Sequence, residues 1–341
     1  MRHRWLAFSL GLGFALALCS GAAHAQYKLT NLVSNQVGAA KQPPDPLLVN
    51  AWGLAYGPGG PFWVSDEKTG WSTLYTGNGT KKGLEVAIPS ASGAGPGSPT
   101  GIVFNGSGDF QISNWPTFFI FCTLDGTISG WSPQTNPNEA LIQVSNATAM
   151  YTGLAITSNP SGNFLFAADN ANNKIDQYDA TYKLVKSFTD PTVPSGFAPF
   201  GIQDIDGLLF VAFASQSGAA GGYIDIFSED GVFLKRLAQG PPLNQPWGFA
   251  AAPPNFGPLS NTLLISNNVN NNSTIHAFNA LTGQFVGAIK DTNGKPIHID
   301  QLWGIAFGGG TPADGGKNEL FFTAGPSNNF AGTFGSIVFK P

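Results

Sequence analysis

Asn50-Ala51-Trp52-Gly53-Leu54-Ala55 leads to Phe62-Trp63-Val64-Ser65-Asp66, then to Ser72-Thr73-Leu74-Tyr75 and Leu84-Glu85-Val86-Ala87-Ile88, four short strands in succession. The alternating apolar residues of the fourth suit a half-buried outer strand. The same order returns as Thr152-Gly153-Leu154-Ala155-Ile156, Phe164-Leu165-Phe166-Ala167-Ala168-Asp169, Lys174-Ile175-Asp176-Gln177-Tyr178 and Lys183-Leu184-Val185. Six such units begin around Gly53, Gly101, Gly153, Gly201, Gly248 and Gly304, spaced 47 to 56 residues apart. That is the period of a four-stranded blade, so the chain is expected to be all-β, a single six-bladed β-propeller.

Inner strands of a propeller converge on one axis, where a residue without a side chain lets neighbouring backbones approach. The residues before the six glycines are Trp52, Thr100, Thr152, Phe200, Trp247 and Trp303. Four of them offer a flat ring, expected to fill the wedge between blades. The sixth unit runs through Trp303 to Phe307, Glu319 to Thr323 and Gly335 to Phe339 and then stops at Pro341, one strand short. Tyr27 to Val33 is expected to supply that strand and close the ring, covering a sheet edge.

The first 25 residues read as a signal peptide: Arg2 and Arg4, an apolar run from Leu6 to Leu18, and Ala23-His24-Ala25 before the expected cleavage site. The mature chain is then 26–341, one propeller domain, exported to the periplasm or the extracellular medium and monomeric. No later apolar stretch is long enough to span a membrane. The mature chain carries 14 basic and 20 acidic residues, a net charge of -6. With no basic stripe, nucleic acid is excluded as the expected partner. Cys122, the only cysteine after cleavage, lies in Phe118-Phe119-Ile120-Phe121-Cys122 and reads as a small buried apolar residue, not a nucleophile.

Pro199-Phe200-Gly201-Ile202, and Leu165-Phe166-Ala167-Ala168-Asp169-Asn170 followed by Asn173-Lys174-Ile175, resemble NHL-type propeller repeats. Asn50 to Ala55, Gly97 to Asn105, Asp125 to Trp131 and Leu302 to Gly308 together resemble an exported bacterial propeller family of conserved hypothetical proteins. The resemblance implies a propeller and secretion, and it transfers no catalytic residue.

Candidate chemistry gathers at the strand ends. Asp66, Asn114, Asp169 and Asn267 are read as the ends of second strands, with Phe213 and Ala324 interrupting the set, and Asn50, Asn244 and Asp300 lie in loops leading into inner strands. These seven could line one mouth of the channel as a ligand-binding set, or bond the turns that follow them. Their oxygens would also suit calcium. The run Asp169 to Asn173 lacks the glycine and distal acid of an EF-hand. His276 and His298 are the only histidines of the mature chain, so a three-histidine zinc site is excluded; His298-Ile299-Asp300 could align a base with a carboxylate. No nucleophile elbow, Walker loop or paired-cysteine motif occurs. The expected function is a propeller binding a protein, glycan or small molecule through one face, without a cofactor. The alternative is a metal-dependent, lactonase-like hydrolase using calcium.

Overall fold

A strand that carries apolar side chains on both faces must be covered on both, and stacking blades around an axis meets that need. The computed structural model, which describes residues 26–93 and 95–341, places 24 strands in six four-stranded antiparallel sheets. The expected leader falls outside the described residues. Along Phe62–Asp66 the alternation is direct: Phe62 and Val64 join the core shared with blade six, and Trp63 joins the core shared with blade two. Six such clusters, one at each blade junction, make up the bulk of the core, and a seventh lies on the axis.

The inner strands are Ala51–Ala55, Pro99–Phe104, Tyr151–Asn159, Phe197–Ile205, Pro246–Ala251 and Leu302–Phe307. A Cβ built on any of the six inner-strand glycines would lie within 3.0 Å of the next blade's backbone, running from Gly53 against Thr100 round to Gly304 against Trp52. The glycines therefore set how closely the blades approach, as the sequence pattern implies. Hydroxyls stitch the same layer: Ser266 Oγ accepts from Gly248 N–H at 2.8 Å and donates to Trp303 O at 2.7 Å. Thr323 Oγ1 does the same between Gly304 N–H and Trp52 O, at 2.9 and 2.5 Å.

The ring closes as the missing strand predicts. Gln26–Ser34 pairs antiparallel with Thr333–Lys340, with Tyr27 opposite Phe339, Leu29 opposite Ile337 and Val33 opposite Phe334. A bulge between Asn31 and Val33 changes which face the strand presents. Tyr27 and Leu29 thus pack with blade five, whereas Leu32 and Val33 both pack with blade one. The closing strand joins the cores on either side of its own blade. Cys122 is fully buried, and that burial pushes its thiol pKa up to about 12, which leaves it a packing residue. No helix among the described residues is long and apolar enough to cross a membrane.

Candidate functional site

All six inner strands shift register just before or across the glycine, between Ala51 and Leu54, Pro99 and Ile102, Tyr151 and Gly153, Pro199 and Gly201, Pro246 and Phe249, and Leu302 and Ile305. A bulge re-aims a side chain, and here it turns the residue before the glycine toward the axis. Trp52, Trp247, Trp303 and Phe200 consequently meet one another: Trp52 stacks on Trp303 at 3.7 Å, and Trp247 meets Trp303 edge-on at 6.1 Å. The four rings fill the channel end and not the wedges between blades, which corrects the sequence expectation. Two indoles are fixed by hydrogen bonds, Trp303 Nε1 to Asn50 Oδ1 at 2.9 Å and Trp247 Nε1 to Thr152 O at 2.8 Å.

In the three tryptophan blades the residue three before the glycine is Asn50, Gln245 or Gln301, each in the left-handed region with φ of 49°, 52° and 48°. The Asn/Gln-x-Trp-Gly spacing is the sequence signal for this plug; Asn50 belongs to a residue type enriched in that conformation, and Gln245 and Gln301 adopt it without that preference.

Beyond the plug the channel narrows to about 30 Å³ at the level of the glycines and of Leu54, Ile102, Leu154 and Ile305. It then opens at the C-terminal ends of the inner strands into a pocket of about 510 Å³. Its wall is aliphatic, with Tyr56, Phe104 and Phe307 toward the rim and with Gln203, Asp204 and Asp206 as its polar group from blade four. Asp204 accepts a hydrogen bond from Gly207 N–H at 3.1 Å. Burial, then the nearby Glu229 and Asp206, push its pKa up to about 6. Tyr56 donates to Phe307 O at 2.9 Å and braces the blade six to blade one side of the rim.

The residues singled out in the sequence lie elsewhere, bonded largely within their own blades. Asn50 donates to Glu67 Oε2 at 2.8 Å as well as holding Trp303. Asn244 and Asn267 come together, the Asn244 N–H donating to Asn267 Oδ1 at 2.7 Å. Asp169 accepts from the Met150 and Asn172 N–H groups and from Asn172 Nδ2. Asp300 accepts from the N–H groups of Asn271 and Ser327 instead of orienting the exposed His298. Asp66 is fully buried, takes Thr73 Oγ1 at 2.8 Å on Oδ2, and is driven well above the usual carboxylate range by desolvation.

Asn114 is a misplacement. It sits in the exposed turn of a small hairpin, Gln111–Ile112 with Trp115–Pro116, and the second strand of blade two is Phe119–Thr123. Thr123 occupies the register that Asp66, Asp169, Phe213, Asn267 and Ala324 hold in the other blades. The inserted hairpin displaced the reading by nine residues. As a calcium set these donors do not fit: the side-chain oxygens of Asn50, Asp169, Asn267 and Asp300 already accept bonds from turns and neighbouring side chains, Asp66 keeps only its buried Oδ1 unbonded, and Asn114 lies on a separate hairpin. No group of three or more His, Cys, Asp or Glu among the described residues could hold a metal.

Six four-stranded blades around a plugged channel define a six-bladed β-propeller. No protein-family model matches the chain. It is 31% identical over 334 residues to the uncharacterized protein R648 of Acanthamoeba polyphaga mimivirus, covering 91% of this chain and 80% of that protein. The chain belongs to that protein's family. This relative is viral, so it lends no support to a bacterial, exported affiliation. Among solved structures a streptogramin B lyase matches with a TM-score of 0.55 at 15% identity, over 94% of this chain and 100% of that one. A gluconolactonase from Xanthomonas campestris matches with a TM-score of 0.55 at 13% identity, over 86% and 87%. At such identities the likeness is one of fold alone.

Proposed function

We propose that this propeller is a binding protein that takes a small molecule, or one end of a larger ligand, into the open mouth of its channel. The observation that carries the reading is the asymmetry of the axis: Trp52, Trp247, Trp303 and Phe200 close one end, and about 510 Å³ stays open at the other. A concave pocket that sets apolar side chains beside a small group of convergent polar ones is the form that small-molecule sites take. Export to the periplasm or medium is part of the proposal and rests on the pattern of residues 1–25. A metal-dependent hydrolase finds no supporting donor set among the described residues.

The test uses Ala251, an exposed residue of the pocket wall. Ala251→Trp adds an indole at the mouth without disturbing a buried contact. A small-molecule library is screened by ligand-induced thermal stabilisation. Compounds that stabilise the wild-type mature chain are expected to lose that effect on Ala251→Trp. Stabilisation that survives the blocked mouth places binding elsewhere and ends the proposal.

A further inference from the structure

We propose that the plugged end of the propeller carries a second site, for a neutral carbohydrate, on the loops of blades five and six. It is independent of the mouth. Residues 268–272 and 325–330 each follow the second strand of their blade, and residues 300–301 lead into the inner strand of blade six, so all three segments lie at the end opposite the mouth. Asp300 ties the two loops together, accepting from Asn271 N–H at 2.6 Å on one oxygen and from Ser327 N–H at 2.9 Å on the other. Asn270 Nδ2 donates to Asn328 Oδ1 across the same gap.

The loop of blade six is held in a conformation that L-residues avoid. Ser327, Asn328 and Asn329 are left-handed in succession, with φ of 60°, 57° and 67°, and Asn271 in the facing loop has a φ of 56°. Asparagine visits that region as a single residue, seldom in a run, and serine lacks even that preference. Strain of this kind persists where surrounding bonds over-determine it, and it collects at sites that hold ligands. The strained turn ends on Phe330, which is 76% exposed. Around it Asn270, Asn271, Asn272 and Asn328 are exposed as well. The bonds between the loops use the backbone N–H of Asn271 and the Oδ1 of Asn328, which leaves the side chains of Asn271 and Asn272 and the Nδ2 of Asn328 without a partner among the described residues. An amide offers both a donor and an acceptor, the match for a sugar hydroxyl, and the electron-rich face of a phenyl ring takes the C–H face of a pyranose. Charge narrows the class: the three segments contain no basic residue, and their one acid, Asp300, commits both oxygens to backbone N–H groups.

Titration calorimetry of the mature chain tests the site with four probes: cellohexaose and chitohexaose, which are neutral chains of flat rings, anionic hexagalacturonate, and mannitol, which has hydroxyls but no ring face. A neutral hexasaccharide is expected to bind about ten-fold or more tightly than hexagalacturonate, and mannitol not at all. Phe330→Ala, with an unchanged thermal midpoint, is expected to weaken that binding about ten-fold or more, because both the stacking and its buried area are lost. Phe330→Tyr is expected to keep it, Asn272→Ala to weaken it several-fold, and Ala251→Trp to leave it unchanged. The site is overturned if neither neutral hexasaccharide binds, if mannitol binds as tightly, or if Phe330→Ala retains full affinity; the mouth stands in each case. Binding abolished by Ala251→Trp places the sugar in the mouth and overturns the second site alone.

Discussion

Tyr27 offers a quantitative handle on ring closure. It is 2% exposed, its ring lies 4.9 Å from Phe256 and 5.5 Å from Phe339, and its hydroxyl donates to Phe256 O at 2.6 Å while accepting from Leu259 N–H at 3.3 Å. Burial pushes its pKa up to about 12, so the donor is intact throughout the neutral range. Tyr27→Phe leaves a buried carbonyl and a buried N–H without that partner, a loss of about 1–3 kcal/mol. Deleting residues 26–34 also removes the burial of Tyr27, Leu32 and Val33. At ~1.5–3 kcal/mol for each side chain this is roughly 5–9 kcal/mol, comparable with the whole stability of a typical domain. Thermal unfolding followed by circular dichroism is expected to show a midpoint lowered by a few degrees for Tyr27→Phe, and no cooperative transition for the deletion. A deletion variant that melts with the midpoint of the mature chain and stays soluble would refute closure by this strand.

Three further outcomes follow from the same contacts. Gly201→Ala puts a methyl group against Trp247 O, and is expected to cost ~1–3 kcal/mol, whereas Gly83→Ala, with open space around it, is expected to stay within about 0.5 kcal/mol of wild type in denaturant titrations. Asn50→Ala removes the acceptor of Trp303 Nε1 and the partner of Glu67, so a loss of ~1–3 kcal/mol is expected together with a change in tryptophan emission, since the plug loses one of its two indole anchors. Asp204, with its pKa raised to about 6 by burial and by Glu229 and Asp206, holds its proton more tightly in the folded state than in the unfolded one. Its contribution to stability therefore falls as pH rises from about 4 to about 6. Asp204→Asn should raise the melting temperature over wild type at pH 8 and not at pH 4, by an amount that screening of the half-exposed group keeps to about 1 kcal/mol. An equal effect at both pH values contradicts that sign.

The architecture was legible in the sequence because its signals are local and repeated. The glycines mark contacts that every blade makes, and the strand absent after Phe339 had one available replacement in Tyr27 to Val33. The site was not legible in the same way. A bulge before or across each glycine lets Trp52, Phe200, Trp247 and Trp303 turn into the channel, and a bulge is a register property that composition does not display. The regular polar residues at strand ends attracted attention, yet Asp169, Asn267 and Asp300 hold turns, and Asn114 belongs to an inserted hairpin. The open mouth is built from aliphatic residues that look like any core positions, and Asp204 and Asp206 read as ordinary hairpin residues until the ring brings six strand ends together.

One end of the channel is a plug, and the other is the proposed binding site. Methyl-resolved NMR of the mature chain, titrated with the strongest binder from the thermal screen, tests it directly. The account predicts shifts concentrated at the methyl groups of Leu54, Ile102, Leu154 and Ile305, with the indole N–H signals of Trp52, Trp247 and Trp303 unchanged. Shifts at those indoles with the four aliphatic residues undisturbed would contradict it.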